Sequence, residues 1–312
     1  MMKKILLIII SLFILNCVET RQIIKEQREI SGLKLKYLET FGPSIYGYGL
    51  LNKISRIKIN DKKLYIADSI ANKIIIINYS GVYYTSFGGY GTSQGYFDNL
   101  VSFSFDSAGL LYTLEKNTSR IQKFNSNKNV VRTFGTKGRG RDQLFEPEDI
   151  GINMYEEIFV CDTENDLIKH FDAFGNLKGL FGYFGAGKGF FNKPEQIAID
   201  NNNNIYVLDR GNKRLQKFSD KYDYLYEIKK INEIFFESPD SLYVDKKNHI
   251  FLGDSKLKKV FVFSENGDFI CSYDLPLDVK EITSIAIDEE YLFLADGKEN
   301  KIHKFKLINT NN

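Results

Sequence analysis

Residues 194–228 read PEQIAID NNNN IYVLD RGNK RLQKF SDKYD YLYEI. Four short runs rich in Ile, Val, Leu, Tyr and Phe alternate with clusters of Asn, Asp and Gly. β-branched and aromatic residues suit a pleated, half-buried surface, and Asn, Asp and Gly suit the tight turns between strands. The stretch predicts four antiparallel strands in about 35 residues, too few to bury both of their faces alone.

The same unit recurs along the chain. An acidic residue ends an apolar run at Asp68, Glu115, Asp162, Asp209, Asp254 and Asp296, at spacings of 47, 47, 47, 45 and 42. Five residues after each stand Lys73, Arg120, Leu167, Arg214, Lys259 and Lys301. Eight or nine before each stand Asn60, Asp106, Asn153, Asp200, Asp245 and Asp288. Phe-Gly pairs close units at Phe41-Gly42, Phe87-Gly88, Phe134-Gly135 and Phe181-Gly182. Many strands are apolar throughout, as in Ile74-Ile75-Ile76-Ile77. That pattern fits sheets covered on both faces by neighbours. Self-similarity at this period, four strands per unit, is the signature of propeller blades.

The unit resembles the NHL repeat. The resemblance rests on Pro194-Glu195-Gln196-Ile197-Ala198-Ile199-Asp200, on Ile205–Asp209, and on Asn212-Lys213-Arg214-Leu215-Gln216-Lys217-Phe218. Ser119–Phe124 and Asn300–Phe305 repeat the third piece. The resemblance spans about residues 34–307 and implies an all-β, six-bladed β-propeller of four-stranded blades. WD40 and kelch repeats, both marked by Trp, are disfavoured in a chain with no Trp. The last unit holds only three strands. The segment Leu35–Gly42 is expected to supply the fourth, so that an N-terminal strand completes the last blade and leaves no open edge.

The N-terminus reads as an address. Lys3 and Lys4 precede the apolar run Ile5–Leu15, and Asn16 and Cys17 follow. A basic region, an apolar stretch of about 7–15 residues and a cleavage site describe an export signal, too short for a spanning helix. Cys17 after the run resembles a lipoprotein lipobox, although Asn16 departs from the small residue preferred there. The expected organisation is a signal at 1–17 ending at a lipidated Cys17, a tether at 18–33, the propeller at 34–308 and a tail at 309–312. A retained apolar anchor and plain secretion are the alternatives. The protein is expected outside the cytoplasm, lipid-anchored to a bacterial membrane, on its periplasmic face or the cell surface. Net charge is +2, without the basic excess that phosphate neutralisation requires, so no nucleic-acid partner is expected.

Residues repeated in every blade are expected to be structural. The acidic and basic columns are read as exposed pairs across the turn between second and third strands, and the Asn/Asp column as turn initiators. The two remaining cysteines, Cys161 and Cys271, lie in different repeats and are not expected to pair. Chemistry is sought where the repeat breaks. The innermost strands should begin around one mouth of the channel, collecting Arg56, Ser102, Glu148, Asp149, Glu195, Gln196, Asp240, Ser241, Glu281 and Ser284. Glu148, Asp149, Glu195 and Asp240 could hold Ca²⁺ or another divalent metal, as in a lactonase-like hydrolase. Otherwise no cofactor is expected. His170, His249 and His303 fall in three blades, which argues against zinc and against Ser-His-Asp catalysis. A basic cluster, Lys137, Arg139 and Arg141, is expected to share a face with Lys188, Arg210, Lys213, Arg214, Lys256, Lys258 and Lys259. With Tyr183 and Phe184, the residues Lys137, Arg139, Arg141, Lys188 and Arg210 are the expected contacts for a protein or glycan of the cell envelope. The leading reading is a non-catalytic binding or scaffold protein; the alternative is the metal-dependent hydrolase.

Overall fold

A computed structural model describes residues 33–309. Six four-stranded antiparallel sheets follow one another along the chain, with two short hairpins at Ser44–Leu50 and Lys230–Phe235. The innermost strands are Ile54–Asn60, Leu100–Phe105, Asp149–Ile152, Pro194–Ile199, Pro239–Val244 and Ile282–Ile287. Each blade then steps outward through strands paired in sequence order. The sixth blade is completed by Leu33–Phe41, which pairs antiparallel with Lys301–Asn309, as the sequence requires. The signal, Cys17 and most of the tether and tail lie outside the described residues.

Why the blades pack is visible in their second and third strands. Leu64, Ile66, Ile74–Ile77, Ile205–Leu208 and Leu215 are buried on both faces of their sheets. Six apolar clusters fill the wedges between neighbouring blades. The wedge between blades six and one joins Ile57, Ile66 and Ile75 to Phe293, Ala295 and Ile302, so the ring seam is as apolar as the other joints.

The Phe-Gly motif has a steric cause. Gly182 has φ +114°, and a Cβ there would sit 2.4 Å from the Phe191 ring. Gly88 stands likewise at φ +95°, 2.4 Å from Phe97. Only a residue without Cβ lets the outer strand turn inward under the next aromatic plug. The Asn/Asp column behaves as expected: Asp200 Oδ1 accepts from the backbone N–H of Asn202 (2.9 Å) and Asn204 (2.8 Å). Blade one substitutes the two-residue turn Asp61-Lys62, both at positive φ, which matches the strand twist.

The acidic column is a correction. Asp68, Glu115, Asp162, Asp209, Asp254 and Asp296 are each 0% exposed, not surface partners of the basic column. Each carboxylate sits at the end of its second strand and accepts backbone N–H groups from the segment entering the same blade. Asp68 takes those of Asn52 and Lys53, Glu115 that of Asp98, and Asp162 that of Phe145. Asp209 takes that of Asn192, Asp254 those of Glu237 and Ser238, and Asp296 those of Lys280 and Glu281. Buried carboxylates persist because charge-assisted bonds replace their water. Among the described residues, the residue five positions on joins directly in Arg120–Glu115 (2.7 Å) and Arg214–Asp209 (2.8 Å) alone. In blade three, where that position is Leu167, Lys169 reaches Asp162 instead at 2.9 Å.

Candidate functional site

The channel mouth is shaped by a recurring irregularity. In five blades the pairing of first and second strands slips by one residue near the start, between Ile54/Arg56, Leu100/Ser102, Pro194/Gln196, Pro239/Ser241 and Ile282/Ser284. A β-bulge re-aims the side chains around it. The extra residues include Glu195, Asp240 and Thr283. The residues that follow form a second level: Arg56, Ser102, Asp149, Gln196, Ser241 and Ser284, one per blade. The expected mouth residues therefore divide into two levels.

The lower level links the blades. Ser284 Oγ accepts from Ile57 N–H (3.1 Å), Asp149 Oδ2 from Ile197 N–H (3.0 Å), and Gln196 Oε1 from Leu242 N–H (2.9 Å). Each side chain reaches the backbone of the following blade. Ser102 donates to Asp149 as well. Across the lumen, the Arg56 guanidinium meets Asp149 at 3.3 Å and donates to the Thr283 carbonyl at 3.2 Å. Gln196 Nε2 donates to the same carbonyl at 3.0 Å and to that of Asp240 at 2.6 Å. Arg56 and Gln196 thus bridge the channel from separate blades.

Above the bridge lie the charged groups of the mouth. Glu148 pairs with Lys116. Arg210 spans Glu195 at 2.7 Å and Asp240 at 3.3 Å, and Ser238 Oγ donates to both oxygens of Asp240. Burial pushes the Glu195 carboxyl up to about 7, with Arg210 opposing and Glu148 adding to the rise. Its Oε2 is buried without a hydrogen-bond partner.

The four carboxylates do not make a metal ligand set. Asp149 is committed to Arg56, Ser102 and Ile197 N–H on the lower level, while Glu148, Glu195 and Asp240 each face a cation above it. Among the described residues no group of three or more His, Cys, Asp or Glu is placed to hold a metal ion. The histidines are as separate as their blades predict: His170 stacks on Phe159, His249 bonds Asp245 and His303 bonds Thr40. Cys161 and Cys271 are both buried thiols.

The expected basic face largely dissolves into local contacts. Lys137 pairs with Glu146 at 3.0 Å, and Arg139 lies over the Phe145 ring and donates to the Glu164 carbonyl. Arg214 is buried beneath the connection 182–193, bonding Asp209, Glu227 and three carbonyls. Lys256, Lys258 and Lys259 bond Glu237, the Val279 carbonyl and Asp274. Arg210 belongs to the mouth instead. Arg141 and Lys213 are exposed and Lys188 lies 5.7 Å over the Tyr224 ring.

What the sequence reading underrated is apolar. Strand directions alternate, so the connections between blades and the turns between second and third strands share the face where the channel mouth opens. On this connection face Tyr46, Leu50, Tyr90, Tyr96, Tyr183, Phe184, Phe190, Ile234, Phe235 and Leu277 are all exposed, reaching 87% at Leu277 and 82% at Tyr46. Every connection carries at least one except 135–148, which carries the basic cluster. A separate cleft of about 470 Å³ lies on the outer wall between blades five and six, lined by Leu35, Tyr37, Tyr273, Leu275 and Phe305 among others.

Comparison with known proteins agrees with this architecture. Residues 191–218 match the NHL repeat. No curated protein matches the sequence. The virginiamycin B lyase of Staphylococcus aureus is 16% identical, with a TM-score of 0.63 over 88% of this chain and 100% of that one. A Bacteroides thetaiotaomicron protein of unknown function is 13% identical, with a TM-score of 0.65 over 88% of this chain and 76% of that one. At such identities the likeness is one of fold. The chain is thus an all-β, six-bladed propeller whose fourth blade matches the NHL repeat over residues 191–218.

Proposed function

We propose that the protein is a membrane-tethered binding or scaffold module outside the cytoplasm, holding a protein or glycan of the bacterial envelope on its connection face. The observation that carries this reading is the ring of exposed aromatic and aliphatic side chains around the mouth. Several exposed aromatic side chains on one connection, interspersed with charge, favour an interaction site more than singly scattered ones do. Phe184 (73% exposed), Tyr183 and Phe190 crowd one connection, and Ile234 and Phe235 crowd the next. Aromatic side chains contribute large contact area at low entropy cost. Lys137, Arg139, Arg141, Lys188 and Arg210 supply charge on this face, and the exposed Arg141 has no ion-pair partner among the described residues. Lipidation of Cys17 would supply the tether.

The test is site-specific photo-cross-linking in the native envelope. A photoreactive residue at Phe184 should capture a discrete partner. The same probe at Tyr155, in the turn between the first two strands of blade three on the opposite face, should not. Replacing Tyr183, Phe184 and Phe190 by serine should abolish capture by a probe at Phe235 while the fold survives. Equal capture from both faces would refute the assignment. For the tether, a Cys17→Ala form should leave the membrane fraction; retention with an unprocessed N-terminus would show an apolar anchor instead.

A further inference from the structure

Below the Arg56–Gln196 bridge the channel has a different chemistry. Two residues further along each inner strand, on the same side of the pleat, stand Lys58, Ser104, Gly151, Ala198, Tyr243 and Ala286. Four of these six are Gly, Ala or Ser, and Lys58, Ala198 and Tyr243 are partly exposed, so solvent reaches this level of the channel. Tyr243 is turned to its neighbouring blade, donating to the Ile287 carbonyl at 2.9 Å. Lys58 is the only charged residue of the level.

Its ammonium makes no hydrogen bond or ion pair among the described residues. Asp149, the carboxylate whose charge acts on it, is committed to Arg56, Ser102 and the Ile197 N–H. The carboxylates one level further down are engaged too. Asp200 bonds Tyr206 and Asn204, Asp245 bonds His249, and Asp288 bonds Tyr79. Asp106 lies 3.4 Å from Lys123. Arg56 is itself incompletely satisfied. Its side chain is 8% exposed, and its Nε–H is buried without an acceptor. Two cations thus stand on the same side of one strand, their Cα atoms roughly 6–7 Å apart, and among the described residues Asp149 is ion-paired with Arg56 and not with Lys58. A buried donor without a partner is costly, and an acceptor entering from solution beside the partly exposed Lys58 would relieve Arg56 and pair both cations. Burial pushes the Lys58 amine below the usual lysine range; Asp149 opposes this and Arg56 adds to it.

We propose that the lower channel is a binding site for one small anion, a halide or a compact oxyanion such as acetate or phosphate, held between Arg56 Nε–H and the Lys58 ammonium. Entry is from the face opposite the connections, because the bridge closes the other side. The site is independent of whatever the connection face binds.

The experiment is thermal unfolding of the full-length protein in chloride, acetate and phosphate series, each at constant ionic strength with gluconate as the bulky reference anion. At least one anion should raise Tm saturably in wild type. K58M should lose that response and K58R should keep it, and the preferred anion distinguishes halide from oxyanion. A flat wild-type response to all three, or an unchanged response in K58M, overturns the site. Should K58M fail to fold, reductive methylation of wild type decides the matter. The anion should slow modification of Lys58 several-fold by mass spectrometry, and an unchanged rate overturns it equally.

Discussion

Replacing Asp209 by alanine separates a buried structural carboxylate from an exposed turn pair. Asp209 is 0% exposed and accepts from Asn192 N–H, Asn212 Nδ2 and Arg214 Nε, each at 2.8 Å. Removing one partner of a buried ion pair costs about 3–5 kcal/mol. Two features place this site at the lower end. Arg214 keeps Glu227 at 2.7 Å, and burial raises the Asp209 carboxyl above the usual carboxylate range, so its ionised form is already partly penalised. The expected loss is about 3 kcal/mol, or roughly 6–12 °C in Tm for a domain of this size. Glu164→Ala is the matched control. It removes only the exposed Lys193 pair at 3.0 Å and should cost less than about 1 kcal/mol. Urea unfolding followed by tyrosine fluorescence suits a chain with 19 Tyr and no Trp. If Asp209→Ala costs no more than Glu164→Ala, the carboxylates do not fasten the blade entries as argued.

Glu195 should make stability fall with rising pH. Its folded value of about 7 lies above the ordinary 4.5, so the folded state binds the extra proton between those values and loses that advantage as pH rises through 7. Glu195→Gln should flatten this slope, worth up to about 3 kcal/mol; parallel urea midpoints for both proteins from pH 4.5 to 8 would contradict it. Gln196→Ala should cost about 2–3 kcal/mol, because the Leu242 N–H loses its acceptor and the Asp240 and Thr283 carbonyls lose a donor. A change below 0.5 kcal/mol by denaturant titration would show the bridge to be dispensable. Starting the chain after Gly42 should leave Lys301–Asn309 as an unpaired edge, and light scattering should detect self-association that the intact chain lacks.

The sequence made the propeller legible because each blade must meet the same steric and polar demands, and those demands recur at fixed phase. Ile74–Ile77 had to be buried on both faces, and Gly88 and Gly182 had to admit an aromatic ring. The closing strand was legible because the sixth unit was one strand short. The burial of Asp68 and its counterparts was not legible, since the groups they bind are backbone N–H donors that leave no trace in side-chain identity. Nor was the division of the mouth into two levels. A one-residue slip in pairing sends Glu195 upward and Gln196 across the lumen, although the two are adjacent in the chain. Lys137, Arg139 and Arg141 are close in sequence, but two of them are occupied, Lys137 by Glu146 of the same connection and Arg139 by the Glu164 carbonyl from the turn after the second strand.

The strand Leu33–Phe41 climbs from the far face of the ring to the connection face, antiparallel to Lys301–Asn309. Force applied through the chain ahead of Leu33 would draw this strand lengthwise past its partner. The paired residues from Leu33↔Asn309 to Phe41↔Ile302 then resist together in shear instead of unzipping one by one. A ring gripped on its connection face and hauled from beneath is loaded along the direction in which its clasp is strongest.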